Sequence, residues 1–184
     1  MSHELLVVST YLVWTILVIL LLAVFALYRH FGQLYVNSTS AKAAQGPDLG
    51  SSLLSVGGVD VSGEAVELPS LNPTLLLFAD TRCDICASIR DELQTLESIQ
   101  NLVDIFVLCA GTPRDVFAWH HRTPAFVRTI HDRKTSLAHR FAVNGTPFAV
   151  GVTGDGIVRW KGIVSTAEAL RSVSDELLGV SPAN

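Results

Sequence analysis

The sequence predicts an α/β fold, a sandwich around a central mixed sheet, preceded by one N-terminal transmembrane helix. Three observations carry that prediction. The first is an uncharged apolar run from Leu5 to Tyr28. The second is the stretch TLLLFADTRCDICASI from Thr74 to Ile89, which reads as buried strand, short turn and helix start. The third is the alternation of strand and helix patterns downstream, closed by a hairpin and a terminal helix.

The apolar run accounts for a mean hydropathy of +0.40 in a chain with 16% charged residues. As a helix its 24 residues reach about 36 Å, enough for a hydrocarbon core of about 30 Å. A cleaved leader would have a basic start, a shorter core and a small-residue cleavage site. Here Met1-Ser2-His3-Glu4 precedes the run, and Tyr28, Arg29 and His30 follow it with the chemistry of an interface. The reading is an uncleaved anchor over 1–30. Arg29 and Lys42 lie on its C-terminal side, so counting cations alone favours a cytoplasmic downstream domain.

Residues 31–55 are rich in Gly, Ser, Ala and Gln, with Gly46-Pro47-Asp48 among them, and read as a linker. The folded domain is expected over 56–184. Within it, VGGVDVSGEAVEL from Val56 suggests one or two short strands. Pro73 stops anything before the strand Leu75–Ala79, and Ile85, Ile89, Leu93, Leu96 and Ile99 give the following helix its apolar face. Asn101 to Cys109 is a second buried strand. Thr112-Pro113-Arg114-Asp115 opens a helix with a capping hydroxyl, a proline at the first position and an early acid. That helix is expected to hold Trp119, His120 and His121 on its exposed face. Ala125 to Ile130 suggests a third strand, and Lys134 to Phe141 a short helix with Leu137, Ala138 and Phe141 inward. Two apolar runs, Pro147–Val152 and Ile157–Ile163, flank Thr153-Gly154-Asp155-Gly156 and make a hairpin. Thr166 to Leu178 is the last helix.

The net charge of −4 and the absence of any basic run leave nucleic-acid binding without an electrostatic footprint. The cysteines are Cys83, Cys86 and Cys109. An odd count with one CxxC reads as a reactive pair plus a spare, and Cys109, ending an apolar run, as a small buried hydrophobe. Cys83 falls at a helix N-terminus, where unpaired N–H groups and the helix dipole favour a thiolate. Cys86, one turn on, can resolve a mixed disulfide. CxxC also supplies half of many zinc sites, but the remaining ligands are missing: Cys109 stands alone and His120-His121 are adjacent. The first alternative to redox chemistry is a membrane-tethered metallochaperone holding copper(I) through both cysteines. The second is a scaffold that only recruits partners. No metal or cofactor is expected beyond the redox-active pair.

Gly145-Thr146-Pro147-Phe148 is the other signal. A proline there has no ladder N–H and belongs at a strand start. With a cis bond, the Thr146 backbone becomes available to an extended substrate, so Thr146 and Pro147 are candidate substrate-binding residues. Asp80, three residues before Cys83, is a candidate proton carrier for Cys86, on the expectation that burial raises its pKa.

The CxxC after a strand, together with Gly-Thr-Pro before the hairpin, resembles the thioredoxin superfamily, in its membrane-anchored periplasmic branch related to the cytochrome c maturation reductases. The opening ELLVVS, the anchor and the GPDLG segment further resemble the methylamine-utilisation accessory (MauD) family. That resemblance implies a thioredoxin-like sandwich, thiol–disulfide exchange at Cys83 and Cys86, and a domain on the periplasmic side of the inner membrane, against the cation count. It implies as partner a periplasmic cysteine-containing protein, the methylamine dehydrogenase small subunit. The chain departs from the superfamily in having Asp84-Ile85 between the cysteines, with no proline after Cys83. Arg82 also replaces a tryptophan common before the first cysteine. Asp84 raises and Arg82 lowers the Cys83 pKa, which leaves oxidant, reductant and isomerase open.

Overall fold

A computed structural model describes residues 7–9, 11–24, 45–53 and 55–179. The chain divides into two compact units, 1–44 and 45–184. In the first, helix α1 (Val7–Val24) has a mean hydropathy of 2.6 over its 18 residues and no buried position. Length and composition suit a membrane span. The ends of the expected anchor, Tyr28 to His30 among them, and residues 31–44 of the expected linker lie outside the described residues.

The second unit is built on a five-stranded sheet. Its strands are β3 (Thr74–Asp80), β4 (Asp104–Ala110), β5 (Val127–His131), β6 (Phe148–Val152) and β7 (Val158–Ile163). Their spatial order is β5-β4-β3-β6-β7, with β3, β4 and β5 parallel and β6 and β7 antiparallel to their neighbours. Central β3 has parallel and antiparallel partners and is buried on both faces, which is why it reads as an unbroken apolar run. A separate hairpin pairs β1 (Val56–Val59) with β2 (Ala65–Leu68). Val61 donates its N–H to Thr129 of β5, and Arg128 pairs with Asp60 and Glu64.

Two apolar layers cover the sheet. Leu75, Leu77 and Ala79 of β3 and Ile105, Val107 and Cys109 of β4 face helices α2 (Asp84–Glu92), α3 (Pro113–His120) and α5 (Ala167–Leu177). Leu76, Phe78, Phe106 and Leu108 point the other way, toward the β1–β2 hairpin and the short α4 (Ser136–Arg140). Both crossovers among the parallel strands carry their helices on one face, as one handedness of connection requires.

The expected helix after the CxxC is two pieces. α2 ends at Glu92, and Leu93–Ile99 continues as a 3-10 helix. The spacing explains the change: Leu93, Leu96 and Ile99 recur every three residues, the period at which 3-10 side chains stack. Ile85, placed by its spacing on the apolar face, is instead 51% exposed, and Cys86 occupies the inward position. Trp119, expected at the surface, is buried with only 4% exposure. It packs inward because α3 opens at Thr112, whose hydroxyl accepts from Asp115 N–H, and this cap sets Val116 and Trp119 on the sheet side.

The segment expected to be linker up to residue 55 is hydrogen-bonded to the domain over its described end. Gly46 N–H donates to Ala142, Gly50 N–H to Val158 and Leu53 N–H to Gly156, while Leu53 is buried in the second layer. The compact unit thus begins at Gln45.

Candidate active site

Cys83 and Cys86 are joined as a disulfide, with Cα atoms 5.2 Å apart. Cys83 is the N-cap of α2, and its sulfur accepts the Cys86 N–H at 3.1 Å. A sulfur in that place gains from the unpaired amides and positive end of the helix, the arrangement that favours a thiolate. Cys83 is partly exposed, whereas Cys86 has no exposed surface. An incoming partner therefore reaches Cys83 first.

The Thr146–Pro147 peptide bond is cis, as is Leu68–Pro69. The Thr146 carbonyl oxygen lies 4.0 Å from Cys83 Sγ, so the loop before β6 sits against the disulfide, as its sequence position suggested. Gly145, Thr146, His139 and Asp132 line a cavity of about 270 Å³ that also reaches Asp80.

Asp80 differs from its expectation. The Arg82 guanidinium and backbone N–H both donate to its carboxylate, which holds the carboxyl below the usual carboxylate range. Strand alternation supplies the reason: Asp80 continues the series Leu76, Phe78, while Cys86 lies in the layer of Leu77 and Ala79. Arg82 is consequently engaged with Asp80 and contributes to Cys83 as half of an ion pair. Cys109 is the buried free thiol on β4, its pKa pushed up to about 12 by burial and by the nearby Asp80 carboxylate. It behaves as an apolar side chain. His121 stacks edge-on against Phe117, with ring centres 4.4 Å apart, and His139 is exposed.

A model of the thioredoxin-like domain matches residues 69–177, more than half of the sequence. The chain belongs to the thioredoxin-like family. The mixed sheet, α2 and the cysteine pair at its N-terminus are this family's arrangement for thiol–disulfide exchange. Among curated relatives, the methylamine utilization protein MauD of Paracoccus versutus is 26% identical over 175 residues, covering 91% of this chain and 87% of that protein. The MauD of Methylorubrum extorquens is 26% identical over 185 residues, covering 94% and 87%. Among solved structures, a putative thiol:disulfide interchange protein DsbE from Chlorobium tepidum aligns with a TM-score of 0.62 at 16% identity. It covers 72% of this chain and 97% of its own. The Mycobacterium tuberculosis DsbF aligns at 0.58 and 16%, covering 66% and 94%. These structural likenesses establish the thioredoxin-like fold.

One charged residue of this site escaped the reading of the sequence. Arg90, on α2 four positions after Cys86, is only 5% exposed. Its guanidinium lies 4.6 Å from the Trp119 ring centre and its Nε donates to Asp91 at 2.7 Å. The four-residue interval from Cys86 was the available signal.

Proposed function

We propose that this chain is a membrane-anchored thiol–disulfide oxidoreductase acting on cysteines of a periplasmic protein during methylamine dehydrogenase maturation. One observation carries the chemistry: a partly exposed Cys83 caps α2 directly ahead of a fully buried Cys86. The likeness to MauD proteins along nearly the whole chain supports the biological setting.

In the reducing direction, the Cys83 thiolate attacks a partner disulfide. A Cys83–partner bond forms and the partner's own S–S bond breaks, its leaving thiolate taking up a proton. Cys86 then loses its proton and attacks Cys83 Sγ, restoring the Cys83–Cys86 disulfide and releasing the second partner thiol. The oxidising direction is the same sequence reversed. The partner's backbone lies against Thr146 and Pro147, whose loop borders the disulfide, and exposed Ile85 gives an apolar contact beside it. The small subunit of methylamine dehydrogenase is the proposed partner, and α1 holds the domain at the inner membrane.

The deciding measurement is the reduction potential of the full chain in detergent, equilibrated in glutathione or dithiothreitol buffers with its thiols trapped. A potential near thioredoxin's, about −270 mV, marks a reductant or isomerase, and one near DsbA's, about −120 mV, a disulfide donor. Absence of any reversible two-electron couple overturns the proposal. A stoichiometric copper(I) site lost with either cysteine would then stand in its place.

A further inference from the structure

Cys86 must ionise to attack Cys83, yet it has no exposed surface, and burial by itself disfavours a thiolate. The groups facing it from each packed element leave few sources of compensation. From β3 come Leu75, Leu77 and Ala79, and from β4 Ile105, Val107 and Cys109, whose thiol stays protonated. The residues that α5 buries are Ala167, Leu170, Val173, Ser174 and Leu177, all uncharged. Asp80, at the end of β3, is paired with Arg82. Asp84 on α2 is exposed to solvent, as is Asp115 on α3. Among the described residues, Arg90 and Asp132 are the charged residues buried as a whole; Asp132 is spent capping α4 through Leu137 N–H and Ala138 N–H, and the buried Asp60 carboxylate is paired with Arg128.

Arg90 is differently placed. It shares the buried face of α2 with Cys86 and Ile89. Residues four apart on a helix are side-chain neighbours, and helical side chains lean toward the N-terminus, here toward Cys86. Arg90 also lines an opening of about 220 Å³ together with Thr81 and Arg82, the two residues before Cys83. Its side chain thus extends toward the cysteine end of the helix. Asp91 is shared between Arg90 and Arg122. Two guanidinium groups on one carboxylate leave a net charge of +1.

We infer that Arg90 is a positioning residue for the second half of the reaction, the buried cation that allows Cys86 to ionise and resolve the mixed disulfide. This rests on the thiol–disulfide reading above. In the step itself, Cys86 gives its proton to solvent. The Cys86 thiolate then forms a bond to Cys83 Sγ, and the Cys83–partner bond breaks. Arg90 exchanges no proton. It stabilises the anion beside it.

Two measurements on the full chain in detergent test this. With a Cys83→Ser background, ultraviolet thiolate absorbance titrates Cys86, and Arg90→Met is expected to raise its pKa while Arg90→Lys leaves it near the parent value. With both cysteines present, the resolution rate is followed by stopped flow as the second release of thionitrobenzoate from Ellman's reagent. If the Cys86 pKa rises by about one unit in Arg90→Met, the thiolate fraction falls about tenfold, but the more basic thiolate is about threefold more nucleophilic. The variant therefore resolves about threefold more slowly at pH 7 and overtakes the parent once both thiols are ionised. A purely structural role would slow resolution at every pH and produce no crossing. An unchanged Cys86 pKa in Arg90→Met overturns the inference. If that variant fails to fold, Asp91→Asn decides: the unshared positive charge should lower the Cys86 pKa, and no change overturns the inference. Failure of the parent protein to release two equivalents would instead overturn the oxidoreductase reading itself.

Discussion

The hydrogen bond from Cys86 N–H to Cys83 Sγ assigns different tasks to two chemically identical side chains. The sulfur that caps the helix is the one a partner can reach, and the other is buried behind it. Cys86→Ser should therefore accumulate a covalent Cys83–partner adduct, visible by mass spectrometry and reversed by dithiothreitol. Cys83→Ser should yield no adduct. Equal trapping by both variants would overturn the division of labour. Asp80 carries a prediction with a definite sign. Its folded pKa lies below the ordinary value, so its pairing with Arg82 stabilises the fold above about pH 4 and is lost as pH falls through the depressed folded value. Asp80→Asn should flatten the acid limb of a stability-versus-pH curve measured by urea unfolding. An acid limb unchanged in slope would contradict that role.

Among the elements, the loop between β3 and α2 is held at close quarters by its neighbours. Thr81 N–H donates to Ala110, and Gly111, at φ 149°, leaves room only for the Thr81 side chain, into which a β-carbon would project. Gly111→Ala should cost about 1–3 kcal/mol through overpacking, read in chemical denaturation, and should displace the turn that carries Cys83. The short α4 follows Lys134 and Thr135, both in the left-handed region at φ 56° and 54°. Asp132 fixes this turn by accepting from Leu137 and Ala138 N–H at 2.8 and 2.9 Å. Asp132→Ala should cost about 1–2 kcal/mol, the range for losing a capping carboxylate. Loss below half of that would mean that the turn is held by other contacts.

For the molecule as a whole, the packing of residues 45–53 against β7 and the second apolar layer bears on where the folded unit starts. A chain beginning at Gln45 should melt several degrees higher than one beginning at Val56, because the shorter chain loses buried Leu53 and its backbone bonds. Equal thermal midpoints would return this segment to the status of a tether.

Local chemistry made much of this architecture readable. Short apolar runs located β3 to β7, Thr112-Pro113 and Thr166 marked two helix starts, and Gly-Asp-Gly marked the last hairpin. The cysteine pair was equally plain, because a CxxC between a strand and a helix has few other uses. What the sequence by itself determined was therefore the order of elements and the reactive pair, both governed by contacts within a few residues. Tertiary structure decided what depends on the opposite side of the sheet. It turned Ile85 outward and Trp119 inward, set Asp80 on the face away from Cys86, and drew Gln45 to Leu53 into the domain. It also packed Arg90 against Trp119, on the buried face of α2 that holds the resolving cysteine. Burial and electrostatic surroundings arise from residues far apart in the chain, and no local pattern records them.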